Sequence, residues 1–337
     1  MSGLTAWFRA LLALLVTAAV LSLGVLAGAW WWVHQPLPLA AQQAETSIEP
    51  GTPVREIAQR WVQAGVQVPA WMLYEWFRWS GQSRKIRAGS YAVSGGTSPA
   101  QLLDKMVQGD ESLEAVRFIE GWTFKQVRAA MAQAPHLRAV SAQWSDEQIM
   151  QALGRSAVPP EGRFFPDTYR YSKGVSDLTV LRRALEAMDL KMQQAWSVRQ
   201  MPSPLRDPQD MLILASIIEK ETGRASDRPL IAGVFHNRMR IGMPLQTDPT
   251  VIYGLGEAFD GNLRKADLLR DTPFNTYTRK GLPPTPIAMP GWASLQAAVK
   301  PAATTALYFV AKGDGSSIFS ATLEDHNRAV FRYQKAP

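Results

Sequence analysis

The sequence contains no cysteine and only four histidines, and both shortages exclude chemistry. Without cysteine the chain cannot form disulfides, thiolate metal sites or a thiol nucleophile. The histidines are scattered and none belongs to an H-E-x-x-H motif, which argues against a metal site. We therefore expect a protein that works without a metal ion or another cofactor. The histidines are His34, His136, His236 and His326.

Two further motif classes are absent, and the composition narrows the remaining choice. The sequence has no Gly-rich turn followed by Lys that would bind phosphate, and no Gly-x-Ser-x-Gly of a serine hydrolase. With 46% hydrophobic and 19% charged residues, the chain of 337 residues is too apolar to be mainly disordered. Its net charge of +7 suits an anionic partner such as nucleic acid, phospholipid headgroups or cell-wall polymer.

Residues 10–33 contain no charged side chain. As a helix this run is ~36 Å long, enough to cross ~30 Å of hydrocarbon with some tilt. Trp7 and residues 30–32, all tryptophan, lie at its two ends, where indole rings favour the headgroup region. A cleavable signal peptide is the alternative, because residues 27–29 fit an A-x-A cleavage site. The apolar run is longer than a typical signal peptide, so we expect a single membrane span over residues 10–33.

The charges beside this span indicate its orientation. Arg9 and the amino terminus carry the only positive charges on the short side, which favours a cytoplasmic segment over residues 1–9. The bulk of the chain is then exported. An exported chain does not meet DNA or RNA, so we expect no nucleic-acid partner.

One local pattern recurs three times after a Pro-containing linker over residues 34–45. Each copy has a short extended run, a Gly-containing turn with Thr or Ser, and an amphipathic helix. The pattern predicts a small α+β module over residues 46–115, which could be a spacer or a glycan-binding domain. A larger mixed α+β domain is predicted over residues 116–337, so the fold class is α+β.

Capping signals mark where the three helices begin. Thr52 and Ser98 each precede a proline that suits the first helical position. Ser98 with Gln101, and likewise the pair Thr123 and Gln126, match the capping-box pattern.

A buried helix is predicted to begin at Asp207-Pro208. The Asp207 side chain suits the N-cap position, and the Pro208 ring suits the first helical position. Residues 211–218 are apolar at almost every angle around the axis, so the helix should be buried on all sides, and Gly223 is placed to end it. Its last turn carries Glu219 and Glu221, which are costly in an apolar setting unless paired or functional. They lie about 200° apart around the axis and cannot face one cleft.

This setting predicts a carboxyl group suited to acid catalysis. Burial and the negative end of the helix dipole both disfavour the carboxylate and raise its pKa. A general acid needs that protonated state near neutral pH. One Glu would then be the acid and the other an ion-pair member, with Arg238 on the next helix, about 227–240, as the candidate partner. These arguments leave open which Glu is the acid, and also whether both are salt-bridged and inert.

The loops that follow are rich in amides, hydroxyls and tyrosine, which supply the hydrogen bonds and ring faces that sugars require. The segment Phe165-Pro166-Asp167-Thr168 is a loop whose aromatics more often pack than bind sugar. The candidate substrate-binding or supporting residues in the whole region are Ser216, Glu219, Asn237, Gln246, Thr247, Asp248, Tyr253, Asn275 and Tyr277.

Several of these segments resemble those of the YceG-like endolytic murein transglycosylases. The matching motifs keep a fixed order and extend over essentially the whole exported chain. They include Phe165-Pro166-Asp167-Thr168 and Glu120-Gly121, as well as residues 215–222, 237–238, 245–254, 275–277 and 281–291.

The resemblance implies a substrate, a location and a catalytic residue. It implies cleavage of the MurNAc–GlcNAc bond within nascent peptidoglycan strands, leaving 1,6-anhydro-MurNAc ends and terminating glycan elongation. It places a single-pass protein in the inner membrane, near peptidoglycan synthases, with a periplasmic catalytic domain and a LysM-like module over residues 46–115. It assigns the catalytic role to Glu221, a choice that the angular argument could not make.

Two other functions remain open at this point. A muramidase would cut the same substrate with water and would ordinarily use two carboxyl groups. A lytic transglycosylase can use one, because the sugar's own 6-hydroxyl replaces water. The other alternative is a membrane-tethered, non-catalytic protein of the division machinery that only binds glycan.

Overall fold

The computed structural model describes residues 2–335 and separates into two compact units, residues 1–114 and 115–337. Met1, with which the predicted cytoplasmic segment begins, lies outside the described residues. So do Ala336 and Pro337, at the end of the predicted catalytic domain. The fold is mixed α+β, as expected, with one long apolar helix at the amino end.

The first unit contains that helix and a small two-stranded sheet with three further helices. Within α1, residues 11–33 are long and apolar enough to cross a membrane. The strands β1 and β2 pair antiparallel, with Gln43 opposite Ser94 and Ile48 opposite Gly89. The elements are α1 (Ser2–Val33), β1 (Gln43–Ile48), α2 (Val54–Gln63), α3 (Ala70–Trp79), β2 (Gly89–Ser94) and α4 (Pro99–Gln108).

The core of this unit explains why a short chain segment is ordered. Large core side chains come from α2, α3 and β2. They include Trp61, Leu73, Phe77 and Tyr91, and none of these is exposed. Burial of each such side chain contributes roughly 2 kcal/mol. Residues 37–40, which fall in the predicted linker, are bonded to this unit rather than free.

The helix starts were largely predictable. Ser98 caps α4 in a capping box with Gln101, as expected. Thr52 differs, because α2 begins at Val54 and Pro53 occupies the cap position without a side-chain cap. The prediction that Pro53 is the first helical residue is therefore wrong by one position.

The second unit is helical around one central helix. Its elements are β3 (Glu114–Arg117), α5 (Phe124–Ala132), α6 (Asp146–Ala152), β4 (Thr168–Tyr171), α7 (Asp177–Ser197), α8 (Pro208–Glu221), α9 (Arg228–Arg240), α10 (Asp248–Leu255), α11 (Lys265–Leu269), α12 (Trp292–Val299), β5 (Tyr308–Ala311), β6 (Ser317–Ser320) and α13 (Leu323–Val330). Strand β3 pairs with β4, and β5 pairs antiparallel with β6. Thr123 and Gln126 form the predicted capping box of α5.

Helix α8 is the centre of this unit. Its residues 210–218 are all buried, and it packs against α7, α9, α10 and α12. The predicted helix buried on all sides is confirmed. It ends at Glu221, two residues before Gly223, because Thr222 is already extended. The aromatics Phe164 and Phe165 pack into the two hydrophobic clusters of this unit, which confirms their expected packing role.

Shortening a side chain in α8 should destabilise the fold much more than the same change on the surface. Ile217 has no exposed surface, so Ile217→Ala should lower the free energy of unfolding by roughly 2–5 kcal/mol. The matched control is Leu190→Ala on α7, whose side chain is exposed and whose replacement should cost less than about 1 kcal/mol. Urea unfolding followed by circular dichroism measures both, and equal losses would contradict the central place given to α8.

Candidate active site

The two glutamates at the end of α8 have different partners, as their angular separation predicts. Glu219 accepts a hydrogen bond from Arg228 (Nη2–Oε1 3.2 Å) and another from the backbone N–H of Gly291 (2.9 Å). Its side chain is 6% exposed, and the Arg228 guanidinium also donates to Ser294. Both oxygens of Glu219 are occupied, so this residue is the ion-pair member. The predicted partner, Arg238, is wrong, since Arg228 at the start of α9 reaches Glu219 instead.

Glu221 is held by one side-chain donor. The Thr247 hydroxyl donates to its Oε1. Burial raises the pKa of Glu221 to about 7, and the nearby Asp248 carboxylate adds to this rise. The hydrogen bond from Thr247 and the positive charge of Arg238 oppose the rise. The predicted rise in pKa is thus confirmed, and Glu221 changes its protonation state near neutral pH.

A buried threonine network fixes the position of Thr247. Its backbone N–H donates to the Thr276 hydroxyl (3.1 Å), and the Thr250 hydroxyl donates to its carbonyl (2.7 Å). The hydroxyls of Thr250 and Thr276 lie 2.9 Å apart. All three threonines are almost fully buried. Thr250 and Thr276 were not among the candidate residues, although each lies within or beside a segment that was singled out.

Two exposed polar residues flank Thr247. Gln246 has a positive φ of 48°, an uncommon conformation for a residue other than glycine, and its N–H donates to the Thr276 carbonyl (3.0 Å). Asp248 accepts a hydrogen bond from the Tyr277 hydroxyl. Burial, together with Asp248 and Glu221, raises the pKa of Tyr277 above its ordinary value, so the phenol stays neutral. These side chains are available to a ligand beside Glu221.

Arg238 contacts the backbone of the loop that carries Gln246 and Thr247. Its Nη1 donates to the Leu245 carbonyl (2.7 Å) and its Nε to the Leu307 carbonyl (2.6 Å). The guanidinium lies over the Tyr308 ring, 5.2 Å from the ring centre. It therefore holds the backbone just before Gln246 and adds a positive charge near Glu221.

Another buried carboxyl group, that of Glu161, contacts α10. Glu161 accepts hydrogen bonds from the Tyr253 hydroxyl (3.1 Å) and from the Phe124 N–H (3.0 Å). Burial raises its pKa to about 7. Tyr253 thus joins α10 to the start of α5. Glu161 escaped the sequence analysis because no local pattern distinguishes it from a surface glutamate.

Three of the candidate residues use their polar atoms inside the protein. Ser216 donates to the Ile213 carbonyl and accepts from the Ile287 N–H. The Asn237 side chain donates to the carbonyls of residues 304 and 306. The Asn275 side chain donates to the carbonyls of residues 267, 268 and 270 at the end of α11. The structure therefore brings Thr247, Asp248 and Tyr277 to Glu221, with Gln246 exposed beside Thr247. Ser216, Asn237 and Asn275 instead use their side chains in contacts within the protein.

The turn at Glu120-Gly121 lies against the same end of α8. Lys220 donates to the Gly121 carbonyl (3.3 Å). A β-carbon on Gly291 would meet the Glu120 carboxylate, so the exposed Glu120 side chain lies directly over Gly291. Within the described part of the chain, no group of three His, Cys, Asp or Glu side chains is placed to hold a metal ion.

Comparison with known proteins identifies the group to which this arrangement belongs. A sequence model of the YceG-like family matches residues 46–332. The chain belongs to the YceG-like family. This match confirms the resemblance seen in the motifs.

Named relatives agree with the family. The chain is 33% identical over 265 residues to an endolytic murein transglycosylase of Bacillus subtilis, covering 74% of this chain and 73% of the relative. It is 28% identical over 352 residues to endolytic murein transglycosylases of Streptococcus pneumoniae, covering 94% of this chain but only 63% of theirs. A crystal structure of a YceG-like protein from Listeria monocytogenes matches with a TM-score of 0.54 at 28% identity, over 85% of this chain and 98% of that one.

The different settings of the two glutamates predict opposite effects on stability. Glu219→Gln leaves the Arg228 guanidinium buried without its counter-charge and should cost roughly 3 kcal/mol. Glu221→Gln removes a carboxyl group whose ionised form is disfavoured in the folded state. Since that group is mostly ionised at pH 8, Glu221→Gln should leave stability unchanged or raise it there.

Thermal unfolding of both variants at pH 6 and pH 8 tests this difference. The sign follows from the raised pKa, because the protonated Glu221 contributes stability that is lost as the pH rises through about 7. Equal destabilisation of the two variants at pH 8 would show that Glu221 is also a structural ion-pair member.

Proposed function

We propose that this chain is an endolytic murein transglycosylase that cuts the MurNAc–GlcNAc bond within peptidoglycan glycan strands. One observation carries the proposal: the Glu221 carboxyl lies at the end of the buried helix α8, where the Thr247 hydroxyl donates to it beside exposed polar residues, and burial raises its pKa to about 7. Such a group can donate a proton and accept one in the same reaction cycle near neutral pH. The relatives named above carry the corresponding name.

The proposed reaction needs only this carboxyl group. Protonated Glu221 gives its proton to the glycosidic oxygen as the bond from that oxygen to C1 of MurNAc breaks. The 6-hydroxyl oxygen of the same MurNAc bonds to C1, and the Glu221 carboxylate takes the hydroxyl proton. No water is consumed, and the product ends in 1,6-anhydro-MurNAc. Attack within one sugar residue has the advantage of proximity.

The surrounding residues have two kinds of proposed role. Asp248 and Tyr277 would orient the sugars, since they interact electrostatically with Glu221 and supply an acceptor and a donor. Gln246, exposed next to Thr247, would do the same from the loop. Tyr253, whose hydroxyl donates to the buried Glu161, would support the site by holding α10 in place. Residues that use their hydrogen bonds inside the protein would support the site, namely Ser216, Glu219, Asn237, Thr247 and Asn275.

Asp248 makes a muramidase the second candidate. Hydrolysis with water ordinarily uses two carboxyl groups, and the Asp248 carboxylate is close enough to raise the pKa of Glu221. The products distinguish the two reactions, because an anhydro end is one water lighter than a reducing end. A non-catalytic glycan-binding protein would bind strands without shortening them.

The remaining parts of the chain complete the proposal. Residues 10–33 would anchor the protein in the inner membrane, with residues 1–9 cytoplasmic, a short linker over 34–45, and a periplasmic catalytic domain over 116–337, near peptidoglycan synthases. Residues 46–115 would form a LysM-like module, since β1, α2, α3 and β2 follow one another around an antiparallel strand pair. A polar groove of about 730 Å³ between β1 and α2 could hold sugars.

Replacing the proposed acid should abolish cleavage without preventing folding. Glu221→Gln keeps the size of the side chain but cannot donate a proton, so the rate should fall at least about a hundredfold. The measurement is digestion of uncrosslinked glycan strands, with the products analysed by mass spectrometry. Glu257→Gln, which removes an exposed carboxyl that is paired only with Lys125, is the matched control and should cut normally. Continued release of anhydro-ended fragments by Glu221→Gln would refute the assignment.

The pH dependence of the rate should report the Glu221 pKa. Because the protonated form starts the reaction, kcat/KM should fall as the pH rises through about 7. Thr247→Val removes the hydrogen bond that favours the carboxylate, so the fall should move to higher pH. Thr247→Ser keeps the hydroxyl and should leave the profile near that of the parent. An unchanged pH profile in Thr247→Val would mean that a group other than Glu221 causes the fall in kcat/KM.

A further inference from the structure

One face of α3 exposes two tryptophans to solvent. Trp71 is 66% exposed and Trp79 is 78% exposed. At 100° per residue, Trp71, Glu75, Arg78 and Trp79 lie within about 100° of one another around the helix axis. The core residue Phe77 lies on the opposite side. Large exposed apolar side chains gathered on one face indicate a contact with a partner or a membrane.

The charge around these tryptophans is positive. Arg78 on α3 and Arg84, Lys85 and Arg87 after it are exposed, and the sequence has no acidic residue from 76 to 103. The nearest acid in the sequence, Glu75, accepts a hydrogen bond from the Trp79 indole N–H (2.9 Å) and lies 3.6 Å from Arg78, so the charges of Glu75 and Arg78 offset each other and the net positive charge comes from Arg84, Lys85 and Arg87. We call the six side chains together the α3 patch: Trp71, Arg78, Trp79, Arg84, Lys85 and Arg87.

The first half of α3 is close to the end of the apolar helix α1. The segment just before α3 bonds to the chain just after α1, through Gln67 N–H to the Pro38 carbonyl and Ala40 N–H to the Gly65 carbonyl, both 2.8 Å. Trp71 follows Gln67 by four residues. It therefore lies near the chain that leaves α1.

The middle of α3 is tied to the same place by a second route. The Trp76 indole N–H donates to the Pro99 carbonyl (3.0 Å). Two residues earlier, the Thr97 carbonyl accepts from the Leu37 N–H (2.8 Å), four residues beyond the end of α1. The segment before α3 and the segment that accepts from Trp76 are thus both hydrogen-bonded to residues 37–40, which ties α3 to the chain that leaves α1. In a bilayer spanned by α1, residues 37–40 would lie just outside the headgroup region.

We propose that the α3 patch is a second membrane contact, which lays the small module on the headgroups of anionic lipid. The proposal depends on the membrane anchor put forward under the proposed function. Indole rings favour the headgroup region of a bilayer. The end of α1 also carries exposed indoles, those of Trp30 and Trp31. Lysine and arginine beside a membrane span attract anionic lipid, and their aliphatic stems cover apolar surface.

The composition of the patch favours lipid over sugar. Its cations and two indoles match an anionic interface, and the segment that carries them has a single amide side chain, the half-buried Gln82, for the hydroxyls of a glycan. The groups that do suit a glycan, including Thr46, Ser47 and Gln59, line the groove between β1 and α2. Docking of the α3 patch would hold the small module at the membrane by two contacts, α1 and the patch. It would thereby restrict rotation of the module about α1.

The absence of cysteine allows a direct test in the full-length chain. Single cysteines are introduced by Trp79→Cys in the patch, Gln59→Cys in the groove and Leu21→Cys within α1, and each is spin-labelled. The proteins are placed in nanodiscs that contain phosphatidylglycerol. The ratio of label collisions with lipid-soluble oxygen to those with an aqueous nickel chelate measures depth. We expect a ratio at position 79 that is several-fold higher than at 59 and lower than at 21.

A charge variant tests the electrostatic part. Replacing Arg84, Lys85 and Arg87 by glutamine should lower the docking equilibrium roughly fivefold per cation and move the ratio at position 79 towards that at 59. The matched control removes three exposed cations of the second unit, Lys265, Lys280 and Lys300, and should leave the ratio at position 79 unchanged.

Each contrary outcome has a distinct meaning. A label at 79 that is as water-exposed as the label at 59, with 21 in the bilayer, overturns the docking proposal and leaves the anchor intact. A water-exposed label at 21 overturns the anchor, and the docking proposal with it. A label at 79 that is shielded only when glycan strands are added identifies the patch as a sugar site and also overturns the proposal.

Discussion

The hydrogen bond from Thr247 to Glu221 is the contact on which the candidate active site depends. It joins the end of the buried helix α8 to the loop before α10, and it sets the balance between the two protonation states of the carboxyl group. Burial alone would favour the protonated acid, and this donor together with Arg238 brings the pKa back to about 7. The pKa is therefore a compromise between desolvation and a few directed interactions.

Much of this arrangement was predictable from the sequence, because its causes are local. The apolar run of α8 predicted a buried helix, and the spacing of Glu219 and Glu221 predicted different partners for them. The raised pKa followed from burial. What no local pattern could provide was the partner across the fold: Arg228 rather than Arg238 pairs with Glu219, and Thr276 reaches Thr247 from a distant segment.

The same reason explains the other omissions. Glu161 has no distinguishing neighbours in sequence, and only the fold brings it to Tyr253 and the start of α5. The polar atoms of Ser216 and Asn275 looked available to sugar, yet backbone groups of residues 213 and 287, and of residues at the end of α11, occupy them. Sequence patterns indicate which residues are unusual, whereas the long-range contacts decide which of them remain free for a ligand.

The threonine network also makes the two oxygens of the Glu221 carboxyl group inequivalent. Thr250 uses its hydrogen on the Thr247 carbonyl, so the contact between Thr250 and Thr276 must use the hydrogen of Thr276. Thr276 then accepts from the Thr247 N–H, so the network fixes the backbone that carries the Thr247 hydroxyl beside Oε1 of Glu221. The two oxygens of this carboxyl group are therefore inequivalent, because the fixed hydroxyl lies at Oε1 and not at Oε2.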